Sequence, residues 1–186
     1  MTLFEEMISA GRGIFALFMG SRDATRHFDF TLRGLIGSIV GLIIALTLSA
    51  YLPSLLGTNS ADVRPHQAFI YTSSIYLFQM STAVVVLRQL NRLDAVVPYL
   101  VADNWATFII TLLTLIPIFL QVEPFLVLMV LAIVVVVVKV NIARLIVTLT
   151  PWKIVLFLGA HLLAGFLGQV LFGTIFNLDP TASLRG

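Results

Sequence analysis

The stretch from Pro124 to Thr150, PFLVLMVLAIVVVVVKVNIARLIVTLT, constrains everything else in the chain. Its first fifteen residues carry no charge and are almost all Leu, Val, Ile, Phe, Met and Ala. As a helix these 27 residues rise about 40 Å, more than the roughly 30 Å of a hydrocarbon core, and a soluble core strand would be far shorter. The stretch therefore reads as a membrane span. Lys139, Asn141 and Arg144 appear before its apolar run has ended, and charge at such depth is costly enough to need a reason.

The rest of the chain is of the same kind. Of 186 residues 59% are hydrophobic and 11% charged, against about 25% charged in soluble domains, and the mean hydropathy is +1.05. The apolar surplus is spread from end to end, so the whole protein reads as a membrane domain with no room for a separate soluble one. Eleven Lys and Arg stand against nine Asp and Glu. Their placement matters more than their sum, and no nucleic-acid partner is implied. The absence of cysteine removes disulfides, thiolate metal sites and a Cys nucleophile. Glu5 and Glu6 stand where a signal peptide would be basic, so no cleavable leader is expected.

Residues 3–19 are amphipathic. Leu3, Phe4, Met7, Ile8, Ile14, Phe15 and Phe18 fall near one helical face, with Glu5, Glu6, Ser9 and Arg12 on the other. This predicts a helix lying in the membrane interface or packed on the end of the bundle, with Gly11 and Gly13 as a point of weakness. A polar connector follows, and residues 1–33 form an N-terminal segment. Five spans are expected at 35–56, 67–86, 97–121, 124–150 and 154–176, within a transmembrane domain at 34–178. A short tail occupies 179–186. Residues 57–65 and the Glu123–Pro124 pair read as turns, Pro117 as a kink, and Pro151 to Lys153 as the turn before the fifth span. The fold class is all-α: a polytopic bundle of five transmembrane helices with an N-terminal amphipathic helix.

Two stripes of small residues predict close helix packing: Gly37, Gly41, Ala45 and Ser49 on the first span, and Ala160, Ala164 and Gly168 on the fifth. Arg12, Arg22, Arg26, Arg33, Arg88, Arg92, Lys139, Arg144 and Lys153 fall on one side of this topology, and only Arg64 and Arg185 on the other. The positive-inside asymmetry predicts a cytoplasmic N-terminus and a C-terminus across the membrane.

Candidate functional residues are the polar groups inside the spans: Gln79, Asp103, Asn104, Lys139, Asn141, Arg144 and His161. Counted from the ends of the predicted spans, Asp103 lies about 9 Å deep and Arg144 about 8 Å, so an Asp103–Arg144 ion pair is expected. Asn141 and Arg144, three apart, should share a face. Lys139 should look elsewhere and find a partner on another span, at a depth similar to Gln79 and His161. The polar second span, with Tyr71, Thr72, Ser73, Ser74, Gln79, Ser81 and Thr82, bonds neighbouring helices or lines a hydrophilic lumen. No HExxH, GxSxG, phosphate loop or carboxylate pair is present, and three scattered histidines make no metal constellation, so neither catalysis nor a cofactor is expected.

The run Pro98 to Trp105 (PYLVADNW) and the run Asn141 to Arg144 (NIAR) are similar to short patterns in small alphaproteobacterial inner-membrane proteins. The plan of a cytoplasmic N-terminal segment followed by five closely spaced spans resembles the Yip-type membrane proteins. Eukaryotic members of that family bind Rab GTPases and act in vesicle traffic, and the long cytoplasmic N-terminal region of those members is missing here. The resemblance implies architecture and a bacterial inner-membrane location, and carries over no site residues. Two functions remain open at this point. One is a scaffold or accessory subunit working through helix contacts with other membrane proteins or copies of itself in the bilayer. The other is a small transporter or oligomeric channel with the polar cluster lining a path.

Overall fold

A computed structural model describes residues 2–55, 64–120 and 124–176. The described chain is helical: α1 (Leu3–Phe18), α2 (Leu32–Leu55), α3 (Pro65–Gln89), α4 (Val96–Leu120), α5 (Pro124–Asn141) and α6 (Pro151–Ile175). Short 3-10 turns at Arg22–His27 and Leu93–Ala95 and a π turn at Ile142–Ile146 join them at one end of the bundle. Five segments are long and apolar enough to cross a membrane: Leu32–Ser54, Pro65–Gln89, Leu93–Leu115, Phe125–Ile146 and Pro151–Ile175. The expected turns at 57–65 and at Glu123, and the tail with Arg185, lie wholly or largely outside the described residues.

The fourth span differs from its sequence reading. It is not one helix to Thr150. Its α-helix stops at Asn141, a π turn carries it to Ile146, and Thr148 adopts a left-handed backbone with φ 55°. The reversal is therefore made before Pro151, which instead opens α6 as its first residue, where a missing N–H costs nothing. Helix α4 remains helical through Pro117.

Helix α4 is the centre of the bundle. Of its most apolar window 44% is buried inside the protein, against 17–33% for the other four spans. Tyr99 and Trp105 are its largest buried side chains; Tyr99 meets Phe157 of α6 edge-on at 5.1 Å, and Trp105 meets Phe108 at 5.7 Å. Helix α2 lies along α4, α6 lies along α3, and α5 and α6 touch only slightly. Outward faces carry Ile43, Leu77, Val136, Leu162 and Phe166, all more than half exposed. Such a continuous apolar exterior suits lipid and not water.

The small-residue stripes are used inside the chain. On α2, Gly37 faces the Glu6 carboxylate, Gly41 faces the Trp105 ring and Ala45 is fully buried, whereas Ser49 is exposed and drops out of the stripe. On α6 the buried seam runs Phe157, His161, Ala164, Gly165 and Gly168, with Ala160 only half-buried. Gly168 rests on Phe78 and Ile75 of α3.

Helix α1 is continuous across Gly11 and Gly13. A capping box holds its start, with Thr2 N–H donating to Glu5 Oε2 at 2.8 Å. Ala10, Gly13, Ile14 and Leu17 are buried against the bundle, and Phe4, Phe15 and Met19 remain exposed. The helix thus packs along α2, α4 and α5 rather than on the bundle's end, with Gly11 beside Ile109 and Leu3, Phe4 and Met7 beside Trp105 and Phe108, and it still offers an apolar outer face. Glu6 departs from expectation: it lies on the buried side, at 7% exposure, and its Oε1 has no hydrogen-bond partner. Gly37 makes room for it, since a Cβ there would stand 2.6 Å from the carboxylate. Burial pushes the Glu6 carboxyl above its ordinary value of 4.5; hydrogen bonding from the Trp105 indole pulls it back, the Asp29 charge adds to the rise, and Arg33 opposes it.

Two measurements test this packing. A Cβ on Gly34 would lie 1.9 Å from the Asp29 carbonyl oxygen, so Gly34→Ala should lower thermal stability in detergent by about 2 kcal/mol or more. Gly159→Ala meets nothing within 4 Å and should be neutral or stabilising by up to about 1 kcal/mol. For Glu6 the folded state holds the proton more tightly than the unfolded chain. Stability should be greatest below pH 4.5 and fall as pH rises through the raised value. Glu6→Gln should flatten that fall in a series of melting curves from pH 4 upward; an unchanged slope places the pH dependence elsewhere.

Candidate functional site

The polar residues of α4 lie on the side turned toward α3 and α5. Asp103 is fully buried and Asn104 nearly so. Lys139 of α5 forms an ion pair and hydrogen bond with Asp103 Oδ1. The Tyr76 hydroxyl of α3 lies 2.6 Å from Asn104 Oδ1 and 3.2 Å from Asp103 Oδ2, so two acceptors compete for its single proton. Asn104 Nδ2 donates to Ser38 Oγ of α2 at 3.0 Å, and Ser38 donates onward to the Leu35 carbonyl at 2.8 Å. One polar layer therefore crosses the bundle from α5 through α4 and α3 to α2.

The partner of Asp103 is Lys139, not Arg144. The reason is where the third span begins. A 3-10 turn brings the chain into the apolar layer at Leu93, so Asp103 lies about 15 Å deep and not 9 Å. Lys139, seven residues before Ile146, lies about 10 Å deep, much nearer that level than Arg144 at about 3 Å. The π turn also separates Arg144 from Asn141. Asn141 is buried and its Nδ2 donates to the Leu17 carbonyl at 2.9 Å, pinning the end of α1 to the end of α5. Arg144 is exposed and makes no ion pair among the described residues.

Beside the charged layer lies a cavity of about 380 Å³, lined by Tyr76, Gln79, Thr107, Val135, Val136, Lys139, Leu158, His161 and Leu162. Gln79 Nε2 donates to the His161 carbonyl at 3.5 Å, and His161 Nδ1 is buried without a partner. Val136 and Leu162 are 59% and 72% exposed, and they flank the slight contact between α5 and α6. The cavity thus opens sideways between those two helices, with polar groups on its inner wall.

Of the seven candidate residues, Gln79, Lys139 and His161 line the cavity, and Asp103 and Asn104 stand in the layer behind it. Asn141 and Arg144 belong to other sites. Tyr76 and Thr107 were missed in the sequence. Each sits three residues from a residue singled out there, Gln79 and Asn104 respectively, and that spacing was the available signal. Of the other α3 hydroxyls, that of Ser73 is buried without a hydrogen-bond partner. Thr72, Ser74, Ser81 and Thr82 donate to carbonyls four residues back on their own helix. Among the described residues no three His, Asp or Glu side chains converge as metal ligands. What the site offers is a compensated charge pair, hydroxyl and amide groups, and apolar walls.

Compared with protein families, with curated proteins and with solved structures, the chain finds no match in any of the three.

A buried pair stripped of one partner leaves an uncompensated charge, at a cost of about 3–5 kcal/mol, whereas replacing both by apolar groups is often nearly neutral. Asp103→Leu and Lys139→Leu should each destabilise strongly in a detergent-unfolding series. The double variant should recover most of the loss. Additive losses would show that the two charges do not answer each other.

Proposed function

We propose that this integral membrane protein is a small transporter-type bundle that receives a compact hydrogen-bonding solute in the cavity between α3, α4, α5 and α6. The observation that supports the reading most is the cavity itself. A purely structural bundle closes its polar residues against one another, but here Gln79, Lys139, Tyr76 and His161 border an open volume. About 380 Å³ falls within the range of small-ligand sites, and mixed apolar walls with a few fixed polar groups are the usual lining of such sites. Salt-bridged Lys139 and Asp103 bring no net charge, so a neutral or zwitterionic solute fits better than a bare ion.

The accessory-subunit reading has less support, because the stripes that would carry a partner helix are occupied within the chain: Gly37 and Gly41 by α1 and α4, Gly168 by α3. The reading is non-enzymatic. It places the basic end of the bundle, where Arg22, Arg92 and Arg144 lie, on the cytoplasmic side of a bacterial inner membrane.

The lack of cysteine makes a direct test simple. In membrane vesicles, a charged methanethiosulfonate reagent reacts with thiolates in water and spares those in lipid. Thr107→Cys, at the cavity wall, should react about tenfold or more faster than Leu77→Cys, on the lipid face. Equal and slow reaction at both would mean a dry interior, and the transport reading would give way to the accessory one.

A further inference from the structure

A second pocket lies at the basic end, separate from the charged layer. Its volume is about 340 Å³ and it is lined by Arg22, Thr25, Arg144, Leu145 and Thr148. We propose that it binds a phosphate-bearing anion, namely the headgroup of an anionic phospholipid.

The charge balance of the pocket is the first argument. Arg26 is neutralised by Asp23 at 3.3 Å, and Arg92 by Asp94 at 3.1 Å. Arg22 and Arg144 have no ion pair among the described residues, and both line the concavity. A positive-inside bias accounts for cations at this end of the protein. It does not account for two unmatched guanidiniums from segments 122 positions apart lining one hollow. Guanidinium is the side chain best suited to the paired oxygens of a phosphate.

The pocket is also built. The π turn swings Arg144 outward, away from the polar layer. Thr148 is held in its left-handed conformation by Arg92, which donates to its carbonyl at 3.1 Å and to its Oγ1 at 2.9 Å. The 3-10 turn carrying Arg22 and Thr25 is itself fixed to α1, since Ser9 Oγ donates to the His27 carbonyl at 2.8 Å. The wall therefore combines donors from two anchored turns. Leu145 supplies an apolar side, and Trp152, 71% exposed, stands just beyond Thr148 in the chain. An indole at such a level is characteristic of the headgroup zone. The position beside lipid-facing helices favours a lipid as the source of the phosphate.

The test uses the full chain purified in mild detergent and equilibrated with phosphatidylglycerol and phosphatidylcholine, with retained lipid counted by native mass spectrometry. Wild type should retain phosphatidylglycerol in preference. A juxtamembrane cation contributes about a fivefold change in affinity, so Arg22→Gln with Arg144→Gln should weaken retention by roughly 25-fold. Arg26→Gln, which removes an already paired charge, should change it less than about twofold. Should the double variant fail to fold, Arg144→Gln alone carries the test, with about a fivefold loss. Inorganic phosphate at millimolar level should not displace the lipid; full displacement would assign the pocket to a soluble phosphate instead. Equal retention by the arginine variants and Arg26→Gln would overturn the proposal.

Discussion

A charge in the hydrocarbon layer must be answered by another, and among the described residues that requirement is met by Asp103 and Lys139. The consequence runs outward from the pair. Asp103 has no exposure at all, so the helix that carries it must be the most enclosed, and α4 is. Lys139 must come from a neighbour at matching depth, which fixes how far α5 slides along α4. The second carboxylate oxygen and the adjacent amide need donors, and α3 and α2 supply them through Tyr76 and Ser38. Four of the five spans are thus brought into register by hydrogen bonds that would be left unmade if any one of them shifted by a turn.

The two sides of that layer are packed differently. Between α4 and α2 the contact is closed by the Trp105 ring lying on Gly41. Between α5 and α6 there is little contact, and the polar layer faces open volume. The loops at the basic end compensate for this looseness. Asn141 ties α5 to α1, and Arg92 ties the turn before α4 to the turn before α6. One end of the bundle is therefore braced by polar contacts, while α5 and α6 remain weakly joined along the cavity.

How much of this was legible in the sequence depends on the length scale of each signal. Five spans follow from segments of twenty or more predominantly apolar residues, and local detail cannot undo such a signal. The pairing of charges depended on a few residues at a span boundary. The Leu93–Ala95 turn carries Asp94 and follows Arg92, so it read as loop, and every depth counted from it was short by about 6 Å. The fifteen-residue apolar run contained no hint that its helix would change hand-over at Asn141, because a π turn is a matter of backbone hydrogen bonding and not of residue type. Glu6 was misplaced for a different reason. Its face was assigned by polarity, whereas a glycine on another helix had left space for it. The polar residues were legible as a set, yet their division among the charged layer, the cavity wall and the basic end follows from tertiary packing alone.

The π turn at Ile142–Ile146 has a consequence for how this architecture could vary. Each residue of an α-helix advances the side-chain direction by about 100°, so one residue more or less within a helix rotates everything beyond it by that angle. Such a bulge behaves as a one-residue insertion, and here Arg144, which looks outward, is its middle residue, while Lys139, which looks inward, precedes it. Five positions apart at that advance, the two cations face about 140° from one another, and so they serve different surroundings. A related chain one residue shorter in this segment would turn its arginine toward a different neighbour, and the charged layer and the interfacial pocket would be coupled through the reading frame of a single helix.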